Sequence, residues 1–351
     1  MFTHERNTLF RDSWAAIGFG KDIPRPGMLK PLDFLGTPLL MVRNAEGKIN
    51  VFENVCRHRG MLLVDKPNQL RGLITCPYHA WAYDLDGQLR RTPHVGGSGI
   101  DSHESVNHGD LPLNGVRAHV WRDVIFINIG GEAPAFETAA GDLIERWKEF
   151  DKPLIHTGDD RSISFTLNCN WKLAVENFCG SYHLPFVHPD LNSYSRLEDH
   201  YNILDDGGFA GQGTLVYQPQ ISADGCLFPH FEGLSSKWDA DAEYIAFFPN
   251  VLLGVHNDQA FAILLLPEGN GRTVEQVEIY YADESVRSDE YADMRATNTA
   301  IWQNVFAEDL DVVEGMQRGR HASTCDGGKF SAVMDPPTHH FHCWVAGALN
   351  A

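Results

Sequence analysis

The chain has 351 residues, of which 43% are hydrophobic and 21% charged, a balance typical of a globular protein large enough for two domains. Its formal net charge of −19 argues against a nucleic-acid partner, which would favour a basic surface. The longest apolar run, "AFAILLLP" at 260–267, is shorter than the roughly 20 residues that span a bilayer, and "MFTHERNTLFRDSW" lacks the apolar core of a secretion signal. We therefore expect a cytoplasmic protein without nucleic-acid or membrane partners.

The predicted elements change character along the chain. From residue 34 to about 130, β-rich runs such as "TPLLMVRNAEGKINVFENV" alternate with the hairpin signals "AEG" and "LDGQ". A helical stretch follows at 136–151, then a strand and a second helix. Strand-like segments alternate over 201–283, and a last helix covers about 286–318. This order predicts an α+β protein, with an N-terminal all-β module and a larger α+β domain.

Two loops of the β module each offer one cysteine and one histidine. "NVCRHRG" contains Cys56 and His58, and "ITCPYHAW" contains Cys76 and His79, with seventeen residues between the pairs. A structural zinc site is one interpretation. Zinc fingers usually pair like with like, whereas two mixed loops suit a Rieske [2Fe–2S] centre, in which one iron takes both cysteines and the other both histidines. The remaining cysteines are expected to be buried thiols rather than disulfides: Cys169, Cys179, Cys226, Cys325 and Cys343.

A second group of candidate metal ligands lies in "NWKLAVENFCGSYHLPFVHP". Asn170 is a good helix cap, and the apolar period that follows predicts a helix that Pro185 ends just after His183. His183 at the helix end and His188 on the turn beyond would be close enough to share a metal. Taken alone, both histidines could equally be ordinary core or surface residues.

The third ligand is expected in "IWQNVFAEDLDVVEGMQRG". On a helix, Asp309 falls near the middle of an apolar stripe that includes Trp302 and Phe306. A carboxylate facing the core is costly unless something pairs with it, and a metal ion would do so. Two histidines and one carboxylate form the facial triad of non-haem iron(II) oxygenases, which leaves open positions for oxygen and substrate. The alternative is a slightly irregular helix whose Asp309 is salt-bridged or solvated.

In this order along the chain, "CRH…CPYHAW", "NWKLAVENFCGSYHLPFVH" and "EDLDVVEGMQRG" resemble the catalytic α subunit of Rieske non-haem iron ring-hydroxylating oxygenases. The residues of these motifs are most similar to those of the family branch that contains choline, betaine and carnitine oxygenases. The resemblance implies a Rieske β domain, placed at 36–135, and a helix-grip catalytic domain with a large antiparallel sheet at 136–351. An N-terminal segment, 1–35, would pack on the catalytic domain. The resemblance assigns the cluster to Cys56, His58, Cys76 and His79, and the mononuclear iron to His183, His188 and Asp309.

The resemblance also implies an oxidoreductase that uses O2 and electrons from an NAD(P)H-dependent flavin and iron–sulfur reductase, with or without a ferredoxin. Its reaction would be hydroxylation or oxidative demethylation of a small organic substrate, for which we expect a quaternary ammonium or N-methylated compound. The alternatives are aromatic-ring hydroxylation and a non-catalytic Rieske or zinc-binding protein. We expect a homotrimer, in which electrons cross to the neighbouring subunit. Aromatic residues that could line a cation pocket, if they are not simply core, are Phe209, Tyr217, Phe228, Phe231, Trp238, Phe247 and Phe248.

One position departs from the family pattern. A carboxylate normally lies three residues before the first iron histidine, where this chain has Gly180. On a helix, that carboxylate would share a face with His183 and could bridge the metal centres of adjacent subunits. Glycine cannot do this, and in a helix interior it costs about 0.5–1 kcal/mol relative to alanine. We expect impaired electron transfer, of natural or engineered origin, unless water or another group forms the bridge.

Overall fold

The computed structural model describes the chain in four stretches: 2–158, 162–205, 207–222 and 225–350. Contacts divide the chain into two compact units, one of residues 16–132 and one that combines residues 1–15 with the chain from residue 133 onward. The sequence predicts the β domain at 36–135, so its predicted C-terminal boundary lies close to that of the β unit, whereas its predicted N-terminal boundary lies twenty residues later, at 36 rather than 16. Residues 16–35 belong to the β unit because they supply strands of its main sheet.

The β unit contains two sheets. A seven-stranded sheet has the order β1–β10–β9–β4–β3–β2–β5, and a three-stranded sheet has the order β6–β7–β8. A buried core that includes both candidate cysteines, Trp81 and Tyr83 lies within this unit, so the predicted cluster loops emerge directly from packed structure. The strands are β1 (Ala15–Phe19), β2 (Met28–Phe34), β3 (Thr37–Arg43), β4 (Ile49–Glu53), β5 (Asn68–Gln69), β6 (Ile74–Thr75), β7 (Ala82–Tyr83), β8 (Leu89–Arg91), β9 (Gly115–Trp121) and β10 (Val124–Asn128).

The second unit is built on a large antiparallel sheet of the order β11–β17–β16–β15–β14–β13–β12. Every residue of β13, β14 and β15 is buried, as are eight of the nine residues of β16. Burial on both faces explains the nearly continuous apolar sequences of β15 and β16. The strands are β11 (Ile163–Leu167), β12 (His200–Leu204), β13 (Phe209–Thr214), β14 (Ala242–Phe247), β15 (Val251–Val255), β16 (Gln259–Pro267) and β17 (Thr273–Tyr281). The predicted α+β class with a large antiparallel sheet is confirmed.

The helices of this unit include the first residues of the chain, because Phe10 packs edge-on against Trp171 at 5.0 Å and buried Glu5 accepts a hydrogen bond from the Trp171 indole at 3.1 Å. Neither the 28-residue α8 nor any shorter described helix carries the apolar stretch that crossing a bilayer needs. The helices are α1 (Phe2–Asn7), α2 (Leu9–Asp12), α3 (Phe136–Ala139), α4 (Gly141–Arg146), α5 (Trp171–Cys179), α6 (Leu184–Val187), α7 (Pro189–Tyr194), α8 (Ala292–Gly319) and α9 (Pro336–Asn350).

Helix α5 begins as predicted and ends earlier. The Asn170 side chain caps it by accepting the N–H of Lys172 at 3.1 Å. The helix stops at Cys179, and Gly180 continues in extended backbone with φ −126° and ψ 146°. Pro185 does not end this helix. It lies in the first turn of the separate helix α6, a position that proline tolerates because the missing N–H would have no partner there.

Candidate metal centres and active site

The two Cys/His loops of the β unit have the same backbone design. In each loop the cysteine N–H donates to the carbonyl five residues further on, at 2.8 Å in both cases. The cysteine carbonyl accepts the N–H four residues further on, at 3.1 Å in the loop of Cys56 and 3.0 Å in the loop of Cys76. Both loops are therefore closed turns that hold a cysteine at the base and a histidine at the tip.

The cysteines are buried and the histidines lie nearer the surface. Cys56 and Cys76 are 2% and 3% exposed, whereas His58 is exposed. His58 stacks on Trp81 with ring centroids 4.6 Å apart, and its ring lies 4.7 Å from that of His79. The Nδ1 atom of His79 is buried and has no hydrogen-bond partner, which is costly unless it binds something. Two buried cysteines, two more exposed histidines and an unpartnered ring nitrogen form a donor set that would fit a Rieske cluster.

The spacing of these four side chains disfavours a single zinc ion. Zn–S bonds of about 2.3 Å bring all ligand atoms of a tetrahedral site within about 4.6 Å of one another. In the described part of the chain, no three of these four side chains place ligand atoms within 4.8 Å of one another. In a two-iron cluster one iron takes the cysteine pair and the other the histidine pair, so the four ligand atoms do not have to surround one point.

The second unit brings His183, His188 and Asp309 together, with one ligand atom of each within 4.8 Å of the others. Asp309 Oδ1 lies 3.1 Å from His188 Nε2 and 3.7 Å from His183 Nε2. It is buried, and neither approach has hydrogen-bond geometry. Burial lowers the pKa of His183, even though Asp309 opposes the shift, which favours the neutral ring that a metal requires. Three ligand atoms that face one point without bonding one another fit a divalent cation.

Local structure explains why these residues meet. The N–H of Val187 donates to the carbonyl of His183, and the N–H of His188 to that of Leu184, both at 2.9 Å. Because of this single helical turn, the rings of His183 and His188 lie 5.1 Å apart although the residues are five positions apart in the sequence. On α8, Asp309 follows Trp302 and Phe306 by seven and three residues, so all three lie on one helix face as predicted.

Glu308 fixes the orientation of one ligand. His188 Nδ1 lies 2.7 Å from Glu308 Oε2, and because a carboxylate only accepts, Nδ1 must carry the proton. Burial acts to lower the pKa of His188, and Asp309 and Glu308 outweigh it and raise the pKa. When a metal displaces the second proton, the lone pair of His188 is on Nε2, the atom that faces Asp309. Asn304 donates to the other Glu308 oxygen at 2.9 Å and holds it in place. Sequence analysis did not assign a role to Glu308, because the helical pattern places it only at the border of the apolar stripe. The one feature of the sequence that could have indicated its role is that it is a carboxylate directly next to the candidate ligand Asp309.

A cavity of about 60 Å³ opens beside the three candidate ligands. One wall is a row across the large sheet, in which Gln212, Tyr244, Gly254 and Phe261 are successive cross-strand neighbours. A Cβ atom at Gly254 would lie 2.3 Å from the Phe261 ring, so glycine is required there. The Phe261 ring therefore crosses the sheet toward Tyr244, with the ring centroids 6.2 Å apart.

Helix α8 forms the facing wall with two aromatic rings. Trp302 and Phe306 stack with centroids 5.5 Å apart and lie 4.8 Å and 5.5 Å from the Phe261 ring. These rings line the cavity, whereas the aromatic residues considered from the sequence do not. The alternative expectation, that these residues are simply core, fits six of the seven, which are buried: Phe209, Phe228, Phe231, Trp238, Phe247 and Phe248.

Residues 144–351 match the family model for the ring hydroxylating alpha subunit (catalytic domain), and residues 13–105 match the model for the Rieske [2Fe-2S] domain. The first match covers more than half of the chain. The chain belongs to the ring-hydroxylating α-subunit family. The matched domains imply a Rieske [2Fe–2S] cluster and a mononuclear iron as cofactors of this Rieske oxygenase, and a partner reductase as its electron source.

Curated relatives of this oxygenase include choline monooxygenase, chloroplastic, of Arabidopsis thaliana, which is 28% identical over 97% of the chain and 78% of the relative. The carnitine monooxygenase oxygenase subunit of Escherichia coli (strain K12) is 26% identical over 98% of the chain and 90% of the relative. Solved structures with the same fold include the quaternary ammonium Rieske monooxygenase CntA with L-carnitine, at a TM-score of 0.74, 22% identity and coverage of 99% and 91%. Naphthalene 1,2-dioxygenase with indole has a TM-score of 0.75, 20% identity and coverage of 99% and 89%.

Gly180 of this oxygenase borders a second cleft of about 440 Å³, which His183 also lines. Its extended backbone is open to any residue, so the predicted cost of a glycine inside a helix does not arise. A Cβ atom there would lie 3.6 Å from Thr338 Oγ1 and 3.7 Å from the carbonyl of Met334, both ordinary contacts. Neither backbone conformation nor packing therefore requires glycine at this position.

Proposed function

We propose that this Rieske oxygenase acts on a small quaternary ammonium or N-methylated compound, which it hydroxylates or demethylates. The observation that carries the proposal is the small cavity with aromatic walls that opens directly beside His183, His188 and Asp309. The substrates named for its curated relatives, choline and carnitine, are both quaternary ammonium compounds, and this supports the same class here.

The proposed ligand sets divide the chemistry between the two units. Cys56, Cys76 and the paired histidines His58 and His79 would hold the cluster, and His183, His188 and Asp309 the mononuclear iron. When bound, these groups supply single electrons and the activation of O2. The protein's own contribution is to keep His188 in the required tautomer through Glu308 and to surround the cavity with side chains that exclude water.

The aromatic walls suit a cationic head group. Tyr244, Phe261, Trp302 and Phe306 present ring faces and edges to the cavity. The negative face of an aromatic ring attracts a quaternary ammonium group, and the attraction is worth about 2 kcal/mol when the cation is desolvated. The small volume favours a compact substrate over a polycyclic one. An uncharged or anionic aromatic substrate is the second candidate, since the same rings would stack on it.

The electron-transfer partner and the assembly complete the proposal. We infer a reductase that carries flavin and iron–sulfur groups and is fed by NAD(P)H, and a homotrimer of this chain. The cytoplasmic location expected from the sequence stays a prediction. The solved structure of a quaternary ammonium Rieske monooxygenase with this fold gives insight into inter-subunit electron transfer in that enzyme, and this supports an assembly with more than one subunit here.

Metal analysis and a substrate panel test the proposal. Purified protein should be brown and contain about three irons per chain, and Cys76→Ala should lose the cluster absorption. With a reductase, a panel of quaternary ammonium and N-methylated compounds should stimulate NADH and O2 consumption, with formaldehyde release if the reaction is demethylation. Stoichiometric zinc in a colourless protein would contradict the assignment of both iron centres and of the oxygenase activity. Stimulation by aromatic acids alone would reject the substrate class.

A further inference from the structure

One end of the cavity is polar and buried. Ser195, His200 and Gln212 line it, and Gln212 is 8% exposed. Gln212 lies directly across from Tyr244 on the neighbouring strand, so its amide and the aromatic wall belong to the same row of the sheet. A molecule against the aromatic rings therefore lies next to this amide.

The hydrogen bonds of His200 determine which end of the amide is free. His200 Nδ1 lies 2.8 Å from Gln212 Oε1, and because an amide oxygen only accepts, Nδ1 carries the proton. With Nδ1 protonated, His200 Nε2 is an acceptor. It takes the single Ser195 hydroxyl proton at 3.0 Å in preference to Thr214 Oγ1, which lies farther from that hydroxyl, at 3.3 Å. Burial lowers the pKa of His200, in agreement with a neutral ring. The Gln212 NH2 group has no partner within the described part of the chain, although the side chain is more than nine-tenths buried.

A donor that borders a cavity and has no protein partner is best satisfied by an acceptor on the molecule that fills the cavity. We propose that the Gln212 amide is a specificity determinant that selects substrates carrying a neutral hydrogen-bond acceptor, an ether, carbonyl or hydroxyl oxygen, next to the part that contacts the aromatic walls. The proposal rests on the proposed function in one respect, that the substrate binds in this cavity. It adds a chemical requirement that the aromatic walls alone do not impose.

The composition of the cavity favours a neutral acceptor over a carboxylate. Among the described residues that line it, none is a lysine or an arginine. A buried carboxylate needs a paired charge or several donors, and Gln212 offers one neutral NH2 group. A substrate whose acceptor is uncharged meets the requirement of Gln212 without that cost.

Matched pairs of probes test the proposal in the holoenzyme. (2-Methoxyethyl)trimethylammonium and butyltrimethylammonium differ only by an oxygen in place of a methylene group, and this oxygen can accept but not donate. Anisole and ethylbenzene form the same pair in an aromatic series. Calorimetric affinities should favour the ether of at least one pair by about fivefold, the effect of one net hydrogen bond. Glycine betaine tests the preference for a neutral group and should bind no more tightly than the ammonium ether.

Two variants assign the preference to Gln212. Gln212→Glu keeps an acceptor for His200 and removes the donor, and Gln212→Leu removes both. Each should reduce the ether preference to about one or below. The readout is the ratio of affinities within a pair, because the carboxylate of Gln212→Glu attracts both ammonium probes alike. Asn202→Asp is the matched control, because Asn202 is the exposed cross-strand neighbour of Gln212, does not line the cavity and donates to the carbonyl of Val333. This control should keep the preference.

Three results would overturn the proposal: an ether preference that persists in both Gln212 variants, no preference or no binding in either series, or betaine binding tenfold tighter than the ammonium ether. Failure of the proposed substrate class looks different. In that case the ammonium pair does not bind, whereas the aromatic pair binds and still shows whether Gln212 recognises the oxygen.

Discussion

At the scale of single residues, Glu308 shows how a side chain that touches no substrate can control a metal site. Its carboxylate accepts from His188 Nδ1 at 2.7 Å and is itself held by Asn304. Glu308→Ala should lower iron retention and turnover by roughly 10- to 100-fold, because His188 loses the partner that fixes its ring and tautomer. Iron content after dialysis against a weak chelator, measured together with turnover, checks this.

Asp311→Asn is the control for that experiment. Asp311 is on the same helix, is exposed and faces away from the candidate ligands. It should retain iron as the unchanged protein does. Equal iron retention in the Glu308 and Asp311 variants would show that the hydrogen bond to His188 has no role in metal binding.

Gly180 is the residue where sequence and family disagree. The nearby carboxylate of Glu176 is engaged by Arg320 at 2.6 Å and His342 at 3.0 Å. Burial acts to raise the pKa of Glu176, and these two partners outweigh it and lower the pKa. Glu176 is therefore committed to its own partners and is a poor substitute for a carboxylate at position 180.

We predict slow cluster-to-iron electron transfer in the protein with Gly180, and at least a tenfold gain with Gly180→Glu. The contacts at the Gly180 Cβ position leave room for the new side chain. Single-turnover oxidation of the pre-reduced protein, with substrate and O2, measures the rate. Gly180→Gln separates charge from size and should not give the gain. Rapid coupled product formation with Gly180, unchanged by glutamate, would mean that the missing carboxylate does not matter here.

The residues that sequence analysis could identify are those whose chemistry restricts the residue type. Cysteine and histidine at metal-ligand spacing stand out in a sequence, and Asp309 stands out as a carboxylate within an apolar helical stripe, so the seven candidate ligands could be named from the sequence. Gln212 and His200 could not, because their roles depend on which strands become neighbours and in which register. Nothing local in "HYNIL" or "FAGQGT" indicates a shared cavity.

At the scale of elements, periodicity predicts that helices and strands exist better than it predicts where they end. The apolar period of α5 continues to Tyr182, yet the helix ends at Cys179 and the chain turns into the loop that carries His183. The C-terminal helix α9 was not predicted. The large sheet is predicted only as successive strand-like segments, and that prediction does not include the burial of its central strands on both faces.

Gly254 allows us to test how the sheet forms the aromatic wall. Gly254→Ala would place a methyl group 2.3 Å from the Phe261 ring, which must then move away from Tyr244. We expect a loss of about 1–3 kcal/mol in the free energy of unfolding, typical of overpacking, and weaker substrate binding. Denaturant unfolding and substrate affinity measure the two effects.

The matched change is Gly315→Ala on α8, where the nearest atom to a new Cβ is Arg318 Nη2 at 3.9 Å. Alanine should be tolerated there, and it should stabilise the helix by about 0.5–1 kcal/mol. If both alanine variants unfold and bind substrate alike, the contact between Gly254 and Phe261 does not shape the wall.

At the scale of the whole molecule, the chain has two units, each with one proposed metal centre. Turnover requires electrons to pass from a cluster to a mononuclear iron. The route can run within one chain or from one chain to its neighbour. A head-to-tail contact that closes after three copies would give each iron a cluster from the adjacent subunit.

Mixed oligomers distinguish these routes. Cys76→Ala lacks the cluster and keeps the iron site, whereas Asp309→Ala keeps the cluster and lacks the iron site, so each variant alone should be inactive. Co-expressed with different affinity tags and purified through both, which removes the homotrimers, the two should regain about a third of the activity, because each mixed head-to-tail trimer has one interface of three that joins an intact cluster to an intact iron site. Transfer within a chain would leave the mixture inactive, since no single chain then holds both centres. A mass measurement on the same sample reports the number of subunits, for which we expect three.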